Sequence, residues 1–424
     1  MIHYITTNGI GNAWVANELG QVRRAGVPFV LHAMRKVEET FHLSEWAQQL
    51  HRQTRAIYPL PVAGTIASCL AAPFLFRGRF FAALGNALFG ERESRRARIA
   101  SLVHLVVACH WARRLRREPV AHIHSQWIHS CGTIGMYGAW LLGKSFSFTG
   151  HAADLFRDRC ALRDKIRRAD FIVCISSFHR EFFLKEGARP EQLKIVYCGI
   201  DVDRFSPPPT PRQPDGVIRI RASGRLVEKK GFRYLVEACR LLADRGIAFD
   251  CVIGGNGPLE SELRAMVAKA GLTDRVHLTG EALKQEAIPA FMYGGDVYCL
   301  PCVWASDNDV DGLPQMLMEA MACGLPAIST RLVGIPDLIV HEHTGLLVEP
   351  NDPVALADAI TRLGRDPALA ASLAAAGRRC LLERFDISTC LEPLIAEYRV
   401  RLADPMSEGC PRPREPLLST ETKA

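Results

Sequence analysis

The sequence predicts an α/β protein built as two doubly wound parallel-sheet domains facing across a cleft. Three observations carry that expectation. Short apolar runs alternate with helical stretches along almost the whole chain, the pattern of parallel βαβ units. A proline-rich segment at residues 207–214 interrupts the alternation, which then restarts. And 424 residues exceed one ordinary core while suiting two.

Taken in order, the first half predicts strands near Ile2–Thr6, Phe29–His32, Ala121–His124, Phe146–Thr149, Phe171–Ile175 and Ile195–Tyr197. Helical stretches lie between them, as at Val15–Ala25, where Val15, Leu19 and Val22 repeat at helical spacing. The prolines cannot donate ladder hydrogen bonds, so residues 207–216 read as a linker between a first domain, 1–206, and a second, 217–385. The second half predicts strands near Ile218–Ala222, Phe249–Ile253, Val276–Leu278, Val297–Leu300 and Ala327–Ser329. A last helix, Ile387–Arg401 within 386–404, is expected to return to the first domain. The polar, proline-containing tail, 405–424, is expected to be disordered.

Composition narrows the class. Nearly half the residues are apolar and charged residues are near the globular average, which suits a folded soluble enzyme. The N-terminus enters directly into a strand-like run with no secretory pattern, and the fourteen cysteines are scattered, so reduced thiols in a cytoplasmic protein are expected. The single CxxC, Cys299 to Cys302, ends an apolar strand and has no second pair, which argues for buried thiols against a zinc or redox site. Charge is uneven. Residues 1–205 hold 28 Lys and Arg against 16 Asp and Glu, net +12, and the rest hold 24 against 29, net −5. The first half should therefore meet something anionic. No recognition motif, zinc-finger spacing or aromatic run points to nucleic acid, so a membrane surface or a phosphate-bearing acceptor fits better.

One region stands apart. Ile57 to Phe76 runs twenty residues without a charge, the length of a membrane span. Pro59, Pro61, Gly64 and Pro73 argue against a regular helix there. Arg77, Arg79, Arg92, Arg95, Arg96 and Arg98 follow, with Phe76, Phe80, Phe81 and Phe89 among them. Aromatic surface beside arginines suits peripheral contact with anionic lipid, and a buried insertion is the alternative.

The chemistry-bearing residues of the second half fall beyond strand ends, where open parallel sheets bind ligands. Ser223 to Gly231 follows the first strand of that half and carries Arg225 and Lys230 beside a helix start, the makings of a diphosphate site. Gly254 to Pro258 follows the next strand, and Gly255 there would let a ligand approach the backbone. The most informative segment is Asp309 to Pro326. Pro314 suits a helix first turn, while Gly324 and Pro326 end it. Glu319 is the only charge inside this helix, and burying it requires a specific partner such as a ribose diol, an arginine or backbone. Asp311 lies eight residues earlier, on the preceding loop. Asp307, Asp309, Asp311 and Gly312 open like a calcium loop, but its glutamate position holds Met318. No metal and no cofactor is expected.

This segment resembles the E-x7-E signature of family-four retaining glycosyltransferases, which have the GT-B fold of two Rossmann-like domains. The resemblance spans almost the whole chain. It includes Gly224 to Phe232, Gly254 to Leu259, Gly334 to Asp337, Gly345 to Val348, and Cys198 to Asp201 with Phe205. Asp-Gly-Leu-Pro at 311–314 looks most like enzymes of exopolysaccharide and colanic-acid assembly. The resemblance implies a nucleotide diphosphate-sugar donor, UDP- or GDP-linked, bound by the second domain, and a polysaccharide-repeat or lipid-linked acceptor at the first. Glu319 would hold the ribose, Asp311 the sugar hydroxyls, and Arg225 with Lys230 the diphosphate, with Gly255, Gly312, Leu313 and Pro314 also at the donor. Asp311 departs from the family's usual glutamate and has a shorter reach. In the first domain, Asn8 to Asn12, with Gly9 and Gly11, resembles the family's glycine-rich loop near the donor phosphate. Phe148 to Asp154 resembles the segment whose histidine, here His151, lies beside the reacting sugar. His124, at another strand end, is the acceptor-side candidate, with a satisfied structural histidine as its equal alternative. Transfer with retention would proceed through an oxocarbenium-like state in which positioning and charge stabilisation do the work. Rival readings are a nucleotide-sugar 2-epimerase, a non-catalytic nucleotide-sugar-binding subunit, and a dehydrogenase, which would want a third glycine that the loop after the first strand lacks.

Overall fold

The computed structural model describes residues 1–36, 44–156, 159–210, 212 and 215–403. The tail from 405, and Pro211, Gln213 and Pro214 of the linker, lie outside the described residues.

The first sheet has seven strands: β1 (Ile2–Thr6), β2 (Phe29–Ala33), β3 (Arg55–Ala56), β4 (His122–Ser125), β5 (Ser145–Gly150), β6 (Phe171–Cys174) and β7 (Leu193–Ile195), in the order β3-β2-β1-β4-β5-β6-β7. The second has six: β8 (Ile218–Ser223), β9 (Phe249–Gly254), β10 (Val276–Leu278), β11 (Val297–Leu300), β12 (Ala327–Thr330) and β13 (Leu346–Val348), in the order β10-β9-β8-β11-β12-β13. Every pairing is parallel; Ile2 stands beside both Phe29 and His122. Strands such as β6 (FIVC) and β11 (VYCL) are buried on both faces, which is why they read as unbroken apolar runs. Strand order reverses between β1 and β4 and between β8 and β11, and crevices open at the carboxyl ends of those pairs. The strand predicted at Ile195–Tyr197 begins earlier, at Leu193, because a 3₁₀ turn at Pro190–Gln192 feeds straight into it.

The helix Ala13–Arg24 buries Val15, Leu19 and Val22, all fully. The sequence reading of 57–76 needs correction. Val62–Phe76 is a helix, followed after a bend of 119° by the helix Gly78–Phe89. Pro59 and Pro61 precede the first helix, and Gly64 brings it close to His110. Pro73 lies inside it, in the last turns, and takes away the helical donor to the Cys69 carbonyl without ending the helix. Among the described residues no single helix is long and apolar enough to cross a membrane, although the bent pair passes on length and composition.

The chain crosses between domains twice. Ile200 and Phe205 already pack into the second core, ahead of the prolines. At the return, Ile200 donates its backbone N–H to the Phe385 carbonyl at 3.1 Å, and Ile387 donates to the Ile200 carbonyl at 2.9 Å. Ile387, Leu394, Ile395 and Tyr398, from the helices Ile387–Cys390 and Glu392–Ala403, then pack against β1 and the helix Ala13–Arg24.

Candidate functional site

On the second domain the turns after β8 and β11 are fastened together. Val303 donates its backbone N–H to the Lys229 carbonyl at 3.0 Å, and Gly231 (φ +68°) sits where any Cβ would strike the Pro301 carbonyl. Charge completes the join. Lys230 Nζ meets Asp311 Oδ2 at 2.5 Å, while Lys229 Nζ reaches Asp309 at 3.1 Å and Asp311 at 3.3 Å. Burial alone would raise the Asp311 carboxyl, but Lys230 and Lys229 outweigh it and hold it below the usual carboxylate range. Burial likewise works against the Lys230 charge, and Asp311 more than restores it. The four groups form a charged, half-buried set at the cleft edge. Arg225, from the same turn, is exposed and makes no side-chain hydrogen bond or ion pair with the described residues.

Gly255 serves a purpose different from the one expected. At φ +138° its Cβ position falls on the Gly224 carbonyl, so the backbone that approaches it is the neighbouring turn, not a ligand. Gly224 donates to the Gly254 carbonyl at 2.9 Å and Leu226 to that of Asn256 at 2.8 Å. The glycine turn after β9 is thus the support on which the Arg225 turn rests.

The helix Gln315–Ala322 begins one residue after Pro314, which occupies the cap position, and ends at Gly324 (φ +80°). Leu313 and Pro314 are buried beneath the turn. Glu319 is 2% exposed, and its Oε2 has no hydrogen-bond partner. Burial pushes its carboxyl up to about 7, with Arg204 and Lys230 only partly offsetting this. A buried carboxylate oxygen without a donor is costly, so it marks a place where a ligand hydroxyl would be welcome.

On the first domain the loop after β1 turns at Gly9 (φ +63°), and Gly11 closes the turn by donating to the Asn8 carbonyl at 3.1 Å. This loop delivers Trp14 to His151, which follows β5. The ring centroids lie 4.1 Å apart, and Trp127 closes a triangle of rings, 4.7 Å from His151 and 5.4 Å from Trp14. His151 is 8% exposed with Nε2 unpartnered. Burial, helped by His179 and His124, drives its pKa down to about 3, so the imidazole is neutral. It can exchange hydrogen bonds with sugar hydroxyls but brings no charge to them. His124 corrects the sequence reading. It is fully buried in the sheet, with its nitrogens on Ser147 Oγ at 2.7 Å and Thr149 Oγ1 at 3.1 Å and its ring against Tyr4 and Tyr398. Strand alternation turns it away from the cleft, so it is a satisfied core histidine.

Two residues escaped sequence reasoning. His179 lies across from Gly312. Its Nδ1 bonds Ser176 Oγ at 2.7 Å and its Nε2 has no partner. Around it the domains touch: Ser177 donates its backbone N–H to Asp337 at 2.6 Å, and Gly312 and Gly334 leave no room for a Cβ beside Ile175 and Ser176. Glu18 is buried behind the glycine loop, accepts a hydrogen bond from Gln126, and is pushed up to about 7 by burial. Only an unpaired acid within a buried helix face could have flagged it. Among the described residues no group of three or more His, Cys, Asp or Glu could hold a metal ion. In the stretch that opens like a calcium loop, lysines engage Asp309 and Asp311.

Comparisons with known proteins agree with this architecture. Residues 209–379 match the family described as glycosyl transferases group 1, and residues 89–204 match glycosyltransferase family 4. The putative colanic acid biosynthesis glycosyltransferase WcaL of Escherichia coli K12 is 39% identical over 191 residues, covering 45% of this chain and 47% of that protein. The amylovoran biosynthesis glycosyltransferase AmsK of Erwinia amylovora is 33% identical over 261 residues, covering 60% and 63%. A GDP-mannose-dependent alpha-(1-6)-phosphatidylinositol monomannoside mannosyltransferase of Mycolicibacterium smegmatis is 31% identical over 244 residues, covering 54% and 62%. The chain thus spans about half to three-fifths of the length of these curated relatives. Among solved structures, Anabaena HepE in complex with UDP-glucose superposes with a TM-score of 0.67 at 16% identity over 94% of this chain and 99% of that one. The sucrose-phosphate synthase of Thermosynechococcus elongatus gives 0.70 at 18% over 95% and 99%. With both halves matched and two doubly wound sheets, the chain carries a glycosyltransferase family 4 domain followed by a glycosyl transferases group 1 domain, arranged in the GT-B fold.

Proposed function

We propose that the protein is a retaining glycosyltransferase that moves a sugar from a nucleotide diphosphate to a saccharide or lipid-linked acceptor. The observation that carries this reading is Glu319: a nearly fully buried carboxyl group with one oxygen unpartnered, within the field of Lys230, whose turn also carries the exposed Arg225. A nucleotide supplies matching groups, a ribose diol for Glu319 and a diphosphate for Arg225 and Lys230. Lys230 would leave Asp311 for the phosphate as the donor enters, freeing that carboxylate for the sugar hydroxyls. His151, neutral and with Nε2 free, would hold a hydroxyl of the reacting sugar.

In this reading the acceptor oxygen bonds the anomeric carbon on the face from which the diphosphate departs, and the leaving phosphate takes the acceptor proton. Arg225 and Lys230 stabilise the charge that grows on that phosphate, the usual largest contribution in such sites. The positive charge needed there comes from the chain's own side chains, so the reaction is written without a resident cofactor or metal. Closure about the proline-rich linker would exclude water. A colanic-acid and an amylovoran relative support a saccharide acceptor of exopolysaccharide assembly. One relative is GDP-mannose-dependent and one fold neighbour holds UDP-glucose, so both bases are first candidates. Every described cysteine is free, which favours the cytoplasm.

Titration with UDP-, GDP- and ADP-sugars, followed by thermal stability, tests the reading. One nucleotide should stabilise the wild type, by about 2.7 kcal/mol at a hundredfold excess over its dissociation constant, and should do so far less in Glu319→Ala. No stabilisation by any of them would sink the donor site. NMR of the product should show the donor's anomeric configuration kept, and an inverted product would refute retention.

A further inference from the structure

The helices Val62–Phe76, Gly78–Phe89 and Arg95–Leu115 carry a surface that the transfer reading does not use. Ser68, Ala72 and Phe76 face inward at spacings of four. On the opposite side Val62, Ile66, Leu70 and Phe74 form an exposed stripe; Leu70 is 70% and Phe74 81% exposed. Twelve residues of helix make that stripe about 18 Å long. It runs into the bend at Arg77, beyond which Phe81 and Phe89 are also exposed, and Ile99 and Val103 are exposed on the adjoining long helix. So much contiguous apolar surface calls for a partner.

Charge says which one. From residue 46 to residue 90 there is no acidic side chain, and none within Arg95–Leu115, which instead carries Arg95, Arg96, Arg98, Arg113 and Arg114. At the foot of the stripe the bend opens a cavity of about 790 Å³ lined by Phe74, Arg77, Arg79, Arg116 and Leu141. Arg77, Arg79 and Arg116 make no side-chain hydrogen bond or ion pair with the described residues. Three unpaired guanidinium groups around an open cavity recognise a phosphate ester, and the apolar stripe beside them matches acyl chains. A second copy of the chain is a poorer occupant, because the same arginines would face each other across a two-fold axis.

We propose that this face docks the protein on an anionic bilayer: a lipid headgroup phosphate enters the Arg77–Arg79–Arg116 cavity, and the Leu70–Phe74 stripe seats in the acyl boundary. The helix pair lies in the interface plane, as amphipathic anchors do, and its 119° bend keeps it from spanning. The contact depends on both apolar area and charge, so neither half suffices alone.

Co-sedimentation of the full chain with phosphatidylglycerol-containing and pure phosphatidylcholine vesicles tests this. Binding to the anionic vesicles should be at least about tenfold tighter and should weaken as salt rises. Two variants of exposed residues, Leu70→Ser with Phe74→Ser and Arg79→Glu with Arg116→Glu, should each lower that binding about tenfold or more while keeping the wild-type melting temperature. Equal binding to both vesicle types, or to neither, overturns the proposal. So does binding that inorganic phosphate abolishes while the Leu70/Phe74 variant binds normally, since that describes a site for free phosphate. A concentration-dependent dimer lost in the Leu70/Phe74 variant would assign the face to a second copy and equally overturn it.

Discussion

The two domains share a strand order, apart from one extra strand at an edge of the first sheet, yet the polar groups they bring to the cleft differ. The first buries several histidines and burial disfavours their charge: it lowers His124, His151 and His179 to about 3, and His3 and His104 to about 4. In the second domain His277, His341 and His343 are exposed, and what lies partly buried at the cleft is ionised, Lys229 and Lys230 against Asp309 and Asp311. A wall of neutral imidazole and indole suits uncharged hydroxyls, whereas a wall of cations whose counter-ions can be exchanged suits phosphate. The same backbone architecture is therefore specialised by the electrostatics at its strand ends.

The largest test of that comparison is the support under the charged wall. Gly255→Ala puts a Cβ on the Gly224 carbonyl at a φ that alanine rarely adopts. It should destabilise the second domain by more than about 3 kcal/mol in chemical denaturation. A near-neutral result would mean that the two turns are not locked together.

Next comes Glu319, whose sign is opposite. Its carboxyl is raised from 4.5 to about 7 in the folded state. Between those values the folded state holds a proton that the unfolded chain has released, so this group makes stability fall as pH rises from 4.5 through 7. Glu319→Gln should therefore match the wild type near pH 4.5 and exceed it above pH 7, by up to about 3 kcal/mol, while losing nucleotide binding. A variant less stable at pH 8 would show that Glu319 has a structural partner.

Smallest in stability, though sharpest in discrimination, is the histidine pair. His124→Ala strands the Thr149 hydroxyl in the core, while Ser147 keeps its bond to His122, and should cost about 2 kcal/mol with little change in kcat. His151 Nε2 has no protein partner, so His151→Ala should cost less stability than His124→Ala while lowering kcat at least about a hundredfold. Both histidines contribute stability above pH 6.5 that is lost as pH falls toward 3, because the unfolded chain binds the proton first. Equal kcat losses in the two variants would return His124 to the cleft.

How much was legible differed between the halves. The burial of Glu319 could be anticipated because it is a lone charge in an apolar helix, and the position of the Arg225–Lys230 turn because it follows a strand. His179 could not, because its significance comes from Gly312, far along the chain and across the domain boundary. His124 and His151 looked alike in one dimension; both end apolar runs. One alternates into the sheet interior and the other follows the strand into the cleft. The helix Val62–Phe76 was obscured by prolines that its tertiary packing tolerates at the start and in the last turns.

By itself the sequence determined the two-domain α/β architecture, since strand and helix periodicity and the proline interruption are local properties of the chain. It also determined the family resemblance, which rests on short motifs at fixed spacing. Tertiary structure alone decided which polar groups are paired and which are left free. Asp311 bonded to Lys230, Gly255 spent on a neighbouring turn, His124 satisfied and His151 not are all relations between distant segments. Burial and pairing are set by what folds against a residue, and no window along the chain contains that information.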